Sequence, residues 1–174
     1  MASELRNCRS LNPWVTLVES SIQGDSNPYF HLKVPDYVFV LCITEEGLVP
    51  LVRQFRVPLE RETLELPAGL IEDDQSPVDA AIKELSEETG VRKFKAVIAM
   101  PQMILDSGRI DNKTFGFVVL GAELPTEADA RMAELNTVWV SKEKLISLAM
   151  SGEIDHMGQV ALILWALNQG SIRG

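Results

Sequence analysis

Cysteine and histidine are scarce in this chain. Its 174 residues hold two of each: Cys8 and Cys42, His31 and His156. A disulfide framework or a thiolate-imidazole metal cage needs several such residues at short spacings, so both are excluded. Cys42 lies in an apolar run and reads as a small buried side chain. The two histidines read as structural or helix-start residues, and no Ser-His-Asp order supports covalent serine chemistry. Positive charge is also in deficit. Lys and Arg number 16 against 25 Asp and Glu, a formal net charge of −9. So acidic a chain lacks the basic surface that a nucleic-acid backbone requires. No apolar run approaches bilayer length, and the start of the chain shows no charged-then-apolar leader pattern. The expectation is a cytoplasmic protein with neither a nucleic-acid nor a membrane partner.

What is present suits one domain with a small appended unit. No internal repeat or low-complexity tract occurs. Residues 1–12 are polar and read as a loose end. Strand patterns cover Trp14–Ser20 and Tyr29–Val34, separated by the turn-rich Gly24-Asp25-Ser26-Asn27-Pro28. Residues 1–36 are therefore expected to form a small antiparallel β unit ahead of a main domain at 37–174. In that domain Tyr37–Thr44 and Leu48–Gln54 form a hairpin pattern around Glu45-Glu46-Gly47. Further strands are expected at Thr63–Leu66, Lys95–Leu105, Thr114–Gly121 and Thr137–Val140, and helices at Lys142–Met150 and Met157–Asn168. Strands interleaved with few helices predict an α/β or α+β sandwich. Trp139 and Trp165 fall in apolar patterns and read as core.

Acidic residues concentrate between Glu60 and Glu88, where only Arg61 and Lys83 oppose them. A helix is well marked at the end of this stretch. Ser76 suits the N-cap, Pro77 the first helical position, Asp79 completes a capping box, and Gly90 suits a left-handed stop. Val78, Ile82 and Leu85 supply an apolar stripe. Glu84, Glu87 and Glu88 fall at i, i+3 and i+4, so they stack on one face, off that stripe and toward a cleft. Like charges so close repel, whereas a divalent cation turns the repulsion into attraction. Hard cations such as Mg²⁺ take carboxylate oxygens and bridge to substrate phosphates. The pattern points to metal-assisted chemistry on a phosphate.

Gly69, Glu84, Leu85, Glu87, Glu88, Gly90 and Val91 stand in register with the Nudix box, and the chain resembles the Nudix hydrolase family on these residues. Gln75 and Lys83 replace that motif's first Glu and its Arg, a pair that by the resemblance braces the loop against the helix. Upstream, Gln54-Phe55-Arg56 and Glu65-Leu66-Pro67-Ala68-Gly69 resemble the ADP-ribose pyrophosphatase branch. The resemblance implies an α/β/α sandwich with a mixed sheet and a homodimer in which the N-terminal part crosses between subunits. It implies Mg²⁺ or Mn²⁺ held by Glu84, Glu87, Glu88 and the Ala68 carbonyl. It also implies hydrolysis of the diphosphate of ADP-ribose or a related nucleoside diphosphate sugar.

By the same resemblance Arg56 meets the diphosphate, Glu65 lies beside the metals and Glu134 is the nearest match to a general base. Trp14 offers an aromatic face that suits either stacking on a base or a packing or subunit contact, and Asp106 stands near the place of a branch proline. Two other classes stay open at this stage. One is a catalytically silent Nudix module that binds a nucleotide or a protein. The other is a hydrolase of GDP-mannose or of damaged nucleoside triphosphates.

Overall fold

The computed structural model describes residues 3–172. The outermost residues of the expected loose end (1–2) and of the main domain (173–174) lie outside the described residues. The chain opens with three antiparallel strands, β1 (Ser3–Asn12), β2 (Val15–Ile22) and β3 (Tyr29–Lys33). Then come β4 (Tyr37–Thr44), β5 (Leu48–Arg56), β6 (Arg61–Glu65) and the short β7 (Ala68–Leu70), followed by α1 (Pro77–Thr89). The second half runs β8 (Ala96–Ala99), β9 (Ile110–Asp111), β10 (Thr114–Ala122), α2 (Glu127–Met132), β11 (Asn136–Ser141), α3 (Lys142–Ser151) and α4 (Met157–Asn168).

Three sheets result, ordered β1-β2-β3-β9, β7-β4-β10-β8 and β11-β5-β6. The middle sheet is mixed, because β10 runs parallel to β4 but antiparallel to β8. Strand β4 is its spine and is buried on both faces. That is why Tyr37–Thr44 reads as a near-continuous apolar run rather than an alternation. Its odd-numbered side chains Phe39, Leu41 and Ile43 pack with Leu162, Ile163 and Ala166 of α4. The even-numbered Val38, Val40 and Cys42 pack with Ala80, Ala81 and Leu85 of α1. A sheet covered by a helix on each face is the α/β/α sandwich expected from the sequence. Trp139 and Trp165 are half-buried at the margins of these two cores.

Several local expectations need correction. Residues 3–12 are not a loose end but a ten-residue strand paired along β2, from Ser3↔Ile22 to Asn12↔Val15. An edge strand draws its order from backbone pairing, so a polar sequence suffices. The strand expected over Lys95–Leu105 ends at Ala99. Pro101 has no N–H to continue the ladder, and only an isolated Met103↔Thr114 bridge follows. Part of the polar stretch Asp129–Asn136 belongs to α2, where the Thr126 hydroxyl accepts the Asp129 N–H.

The path between the sheets places the site. Strand β6 leaves its partner β5 at Glu65. Leu66 and Pro67 cross to the middle sheet, where the Pro67 carbonyl accepts the Val40 N–H at 2.8 Å and Ala68 pairs with Phe39. Helix α1 begins as read from the sequence: the Ser76 hydroxyl accepts the Asp79 N–H, and Gly90 ends it at φ +76°.

Candidate active site: an acidic helix against a Pro-Ala-Gly turn

The turn after β6 and the last two turns of α1 meet through two contacts. Glu88 Oε2 accepts the Ala68 backbone N–H at 2.9 Å. The Glu84 carboxylate lies so close to Gly69 that a Cβ at that position would overlap it. Glycine is needed at 69 for that approach, not for an unusual φ.

The glutamates do not all face outward, as their spacing suggested. Glu88 is buried, with 7% of its surface exposed, while Glu84 and Glu87 are intermediate. The reason is the turn itself: Ala68 and Gly69 cover that end of the helix face. Of the expected apolar stripe Leu85 is fully buried and Val78 partly so, but Ala80 and Ala81 do more of the packing than Ile82.

Burial pushes the Glu88 carboxyl up to about 7, the nearby Glu84 adding to this and the Ala68 N–H opposing it. Burial, then the Glu87 charge, raises Glu84 above the ordinary carboxylate range. The pocket of carboxylates therefore carries more negative charge than its surroundings balance. Among the described residues no group of three or more Asp, Glu, His or Cys side chains is arranged to hold a metal ion. Mg²⁺ itself usually takes one or two carboxylates and completes its shell with water and substrate phosphate. An all-oxygen donor set with unbalanced negative charge fits such a hard divalent ion.

Glu134 is brought to the same place. Its backbone N–H donates to the Glu87 carbonyl at 2.9 Å, and its charge adds to the rise at Glu84. Thr137 Oγ1 donates to the Glu88 carbonyl at 3.2 Å, so the segment before β11 is stitched to the C-terminal end of α1.

Arg56 and Glu65 form a fork that is buried at its Glu65 end. Arg56 Nε and Nη2 reach the two Glu65 carboxylate oxygens at 2.7 and 2.6 Å. Glu65 is not a strand-end surface acid: it is 4% exposed. Burial alone would raise its pKa, but the Arg56 and Thr63 hydrogen bonds hold it below the usual value. Burial raises the Tyr37 phenol well above its ordinary value against the pull of the neighbouring Arg56. These residues open onto a cavity of about 620 Å³ lined also by Leu59, Leu105, Asn112 and His156.

Two expected residues lie apart from the carboxylates. Trp14 is 59% exposed and borders a groove of about 970 Å³ between the N-terminal sheet and the loop Leu70–Asp74. Asp106 turns into its own loop, accepting the Gly108 N–H and pairing with Arg109.

Gln75 and Lys83 both engage Glu72. Gln75 Oε1 accepts the Glu72 N–H at 3.3 Å, and Lys83 Nζ lies 2.7 Å from a Glu72 carboxylate oxygen. Loop and helix are thus joined through a third residue that sequence reading did not single out. Tyr37, Thr63 and Gln159 were missed as well. Gln159 left one signal, a polar residue at the head of the apolar run Val160–Leu167.

An α/β/α sandwich whose acidic helix closes on a glycine turn is the architecture that the sequence resemblance implied. The NUDIX domain profile matches residues 33–158, and the chain belongs to the NUDIX family. An ADP-ribose pyrophosphatase of Bacillus subtilis (strain 168) is 49% identical over 59 residues, 34% of this chain and 32% of that protein. An ADP-sugar pyrophosphatase of Mus musculus is 42% identical over 80 residues, 44% of this chain and 36% of that one. The chain thus matches about a third of the length of these relatives, and the likeness to the ADP-ribose pyrophosphatase branch holds over that part. A crystal structure of an ADP compounds hydrolase superposes with a TM-score of 0.73 at 17% identity, covering 98% of this chain and 97% of the other, which shows the fold. No described helix is long and apolar enough to cross a membrane.

Proposed function

We propose that this protein hydrolyses the diphosphate of ADP-ribose or a related nucleoside diphosphate sugar, using Mg²⁺ or Mn²⁺. The observation that carries the reading is the closure of Glu84 and Glu88 onto Gly69 and Ala68, which sets two helix carboxylates against the turn. Relatives named for ADP-ribose and ADP-sugar hydrolysis support it.

Glu84, Glu87, Glu88 and the Ala68 carbonyl would hold the divalent ions, which supply charge neutralisation at the diphosphate and water activation. Arg56 keeps donors beyond those given to Glu65 and directs them at phosphate oxygens, for which its planar fork is suited. Glu134 accepts the proton of the attacking water. Water adds to one phosphorus as the bridging P–O bond breaks, and the leaving oxygen departs on the second phosphate. The products are a nucleoside monophosphate and a sugar phosphate. Trp14 offers its ring face to the base, and Asp106 is a further candidate substrate contact.

Residues 1–36 act as a dimerisation and base-binding unit, so the working form is a homodimer of the 37–174 domains. The Gln75 and Lys83 replacements do not favour a silent binding module, because both side chains hold Glu72 in place of the usual brace.

A panel of nucleoside diphosphate sugars, GDP-mannose and oxidised nucleoside triphosphates, assayed with Mg²⁺, with Mn²⁺ and with chelator, tests the proposal. Monophosphate release from ADP-ribose is expected only with a divalent ion. Ligand-induced stabilisation without turnover of any compound would instead establish the binding module, and inorganic diphosphate release would point to triphosphates. Light scattering checks the dimer.

A further inference from the structure

Gln159 is the one fully buried side chain with a primary amide, at 0% exposure among the described residues. It sits in the first turn of α4 and reaches across to the end of β6. Gly158 lets the helix approach that closely, since a Cβ there would stand 3.0 Å from the Phe39 ring. The amide works as a substitute strand partner. Its Oε1 accepts the Leu66 N–H at 2.7 Å, and its Nε2 lies 3.4 Å from the Leu66 carbonyl. Leu66 is the residue at which β6 has already left β5, so its backbone groups need another partner.

The same Nε2 faces Glu65 Oε2 at 3.4 Å. That oxygen also receives Arg56 Nη2, while Oε1 receives Arg56 Nε and Thr63 Oγ1. Four donors thus surround a nearly buried carboxylate, and three of its four contacts come from outside α4. The amide is neutral, so it adds orientation without competing with Arg56 for charge. It fixes both the start of the Leu66-Pro67-Ala68 turn and the back of the Arg56 anchor.

We infer that Gln159 is a positioning residue that holds Arg56, through Glu65, in the orientation that receives a diphosphate. This rests on the reading of Arg56 as the diphosphate ligand. Gln159→Met keeps the volume and removes every amide hydrogen bond. Loss of one bond to a charged group corresponds to about a tenfold change. The variant is expected to melt cooperatively, to raise KM for ADP-ribose about tenfold, and to change kcat by less than about twofold. In an Arg56→Ala background the same substitution should leave KM unchanged, because the group it positions is gone.

A second readout needs no turnover. The Arg56 Nε–H proton, held by Glu65, should exchange slowly with solvent in the wild type and much faster in Gln159→Met. If Gln159→Met fails to fold, Gln159→Asn keeps a neutral amide but draws it back by one methylene from Glu65, and is expected to give the same two signatures. Unchanged Arg56 Nε–H exchange, or KM effects that simply add in the double variant, would overturn the inference. A wild type that turns over no nucleoside diphosphate sugar would defeat the proposed activity instead. Arg56 exchange alone would then decide whether Gln159 holds the anchor.

Discussion

Glu88 Oε2 and the Ala68 backbone N–H are joined at 2.9 Å across 20 residues of sequence. That bond ties the box helix to the turn beneath it, yet it satisfies a carboxylate that burial has pushed up to about 7. In metal-free protein the folded state thus prefers Glu88 protonated. The unfolded chain ionises it near the ordinary value. Stability associated with the protonated form is complete below about 4.5, falls as pH rises toward 7, and is gone above that. Gln at 88 is neutral throughout and its amide oxygen can take the Ala68 N–H. In chelator at pH 8, Glu88→Gln should therefore be more stable than wild type by on the order of 3 kcal/mol, and equal to it below pH 4.5. Its turnover should fall by at least about a hundredfold. Chemical denaturation at the two pH values and a rate assay check both halves. A variant destabilised at pH 8 would contradict the burial account.

Gly69 and Glu84 are a contact that a methyl group would break. Gly69→Ala should displace the Glu84 carboxylate from the turn rather than disturb the core, since Gly69 has an ordinary negative φ and only that flexible carboxyl end lies in the way. Turnover is expected to drop about 10- to 100-fold, with a change in Tm of only about 2–4 °C. Saturation kinetics beside a thermal melt would separate these effects. A Tm loss many times larger would show that the glycine serves packing.

Much of this site was readable before any fold was known, because helical periodicity places Glu84, Glu87 and Glu88 together without tertiary information. The Ser76 cap and the Gly90 stop were legible for the same local reason, whereas the hairpin expected of Tyr37–Thr44 and Leu48–Gln54 does not form, because β4 and β5 lie in different sheets. The Arg56–Glu65 fork was only half legible: both residues were candidates, but their pairing depends on the β5–β6 register. Gln159 stands 94 residues from Glu65, and no local pattern connects them. Strand β1 carried no period-two alternation, since its apolar residues Leu5, Cys8 and Leu11 stand three apart. Pro101, by contrast, did carry the signal that ends β8.

Gln75 and Lys83 hold the loop before α1 through Glu72 rather than through each other. The Lys83–Glu72 pair is solvent-exposed, so its contribution is small. Gln75→Glu with Lys83→Arg introduces a carboxylate that accepts the Glu72 N–H more strongly and a guanidinium that can fork between two acids. A rise in Tm of about 2 °C is expected, with activity at least retained. Each single variant should give less than the pair, and differential scanning calorimetry of all four proteins measures it. A double variant no more stable than its parent would mean that Glu72 already supplies the full brace.

Arg56 makes two bonds to Glu65 with one planar group, and an ammonium cannot copy that geometry. Arg56→Lys keeps the charge but can face only one carboxylate oxygen at a time, leaving the other with Thr63 or Gln159 alone. The lysine head would also be free to swing away from the 620 Å³ cavity it borders. With orientation lost and charge retained, KM for ADP-ribose should rise about tenfold while kcat falls by less. Arg56→Met, which removes the charge and strands a buried Glu65 carboxylate, should be worse on both counts and should lower Tm as well. Steady-state kinetics on the two variants, each with a melting curve, checks the ranking. Equal kinetics for Lys and Arg at this position would show that the fork serves only the fold.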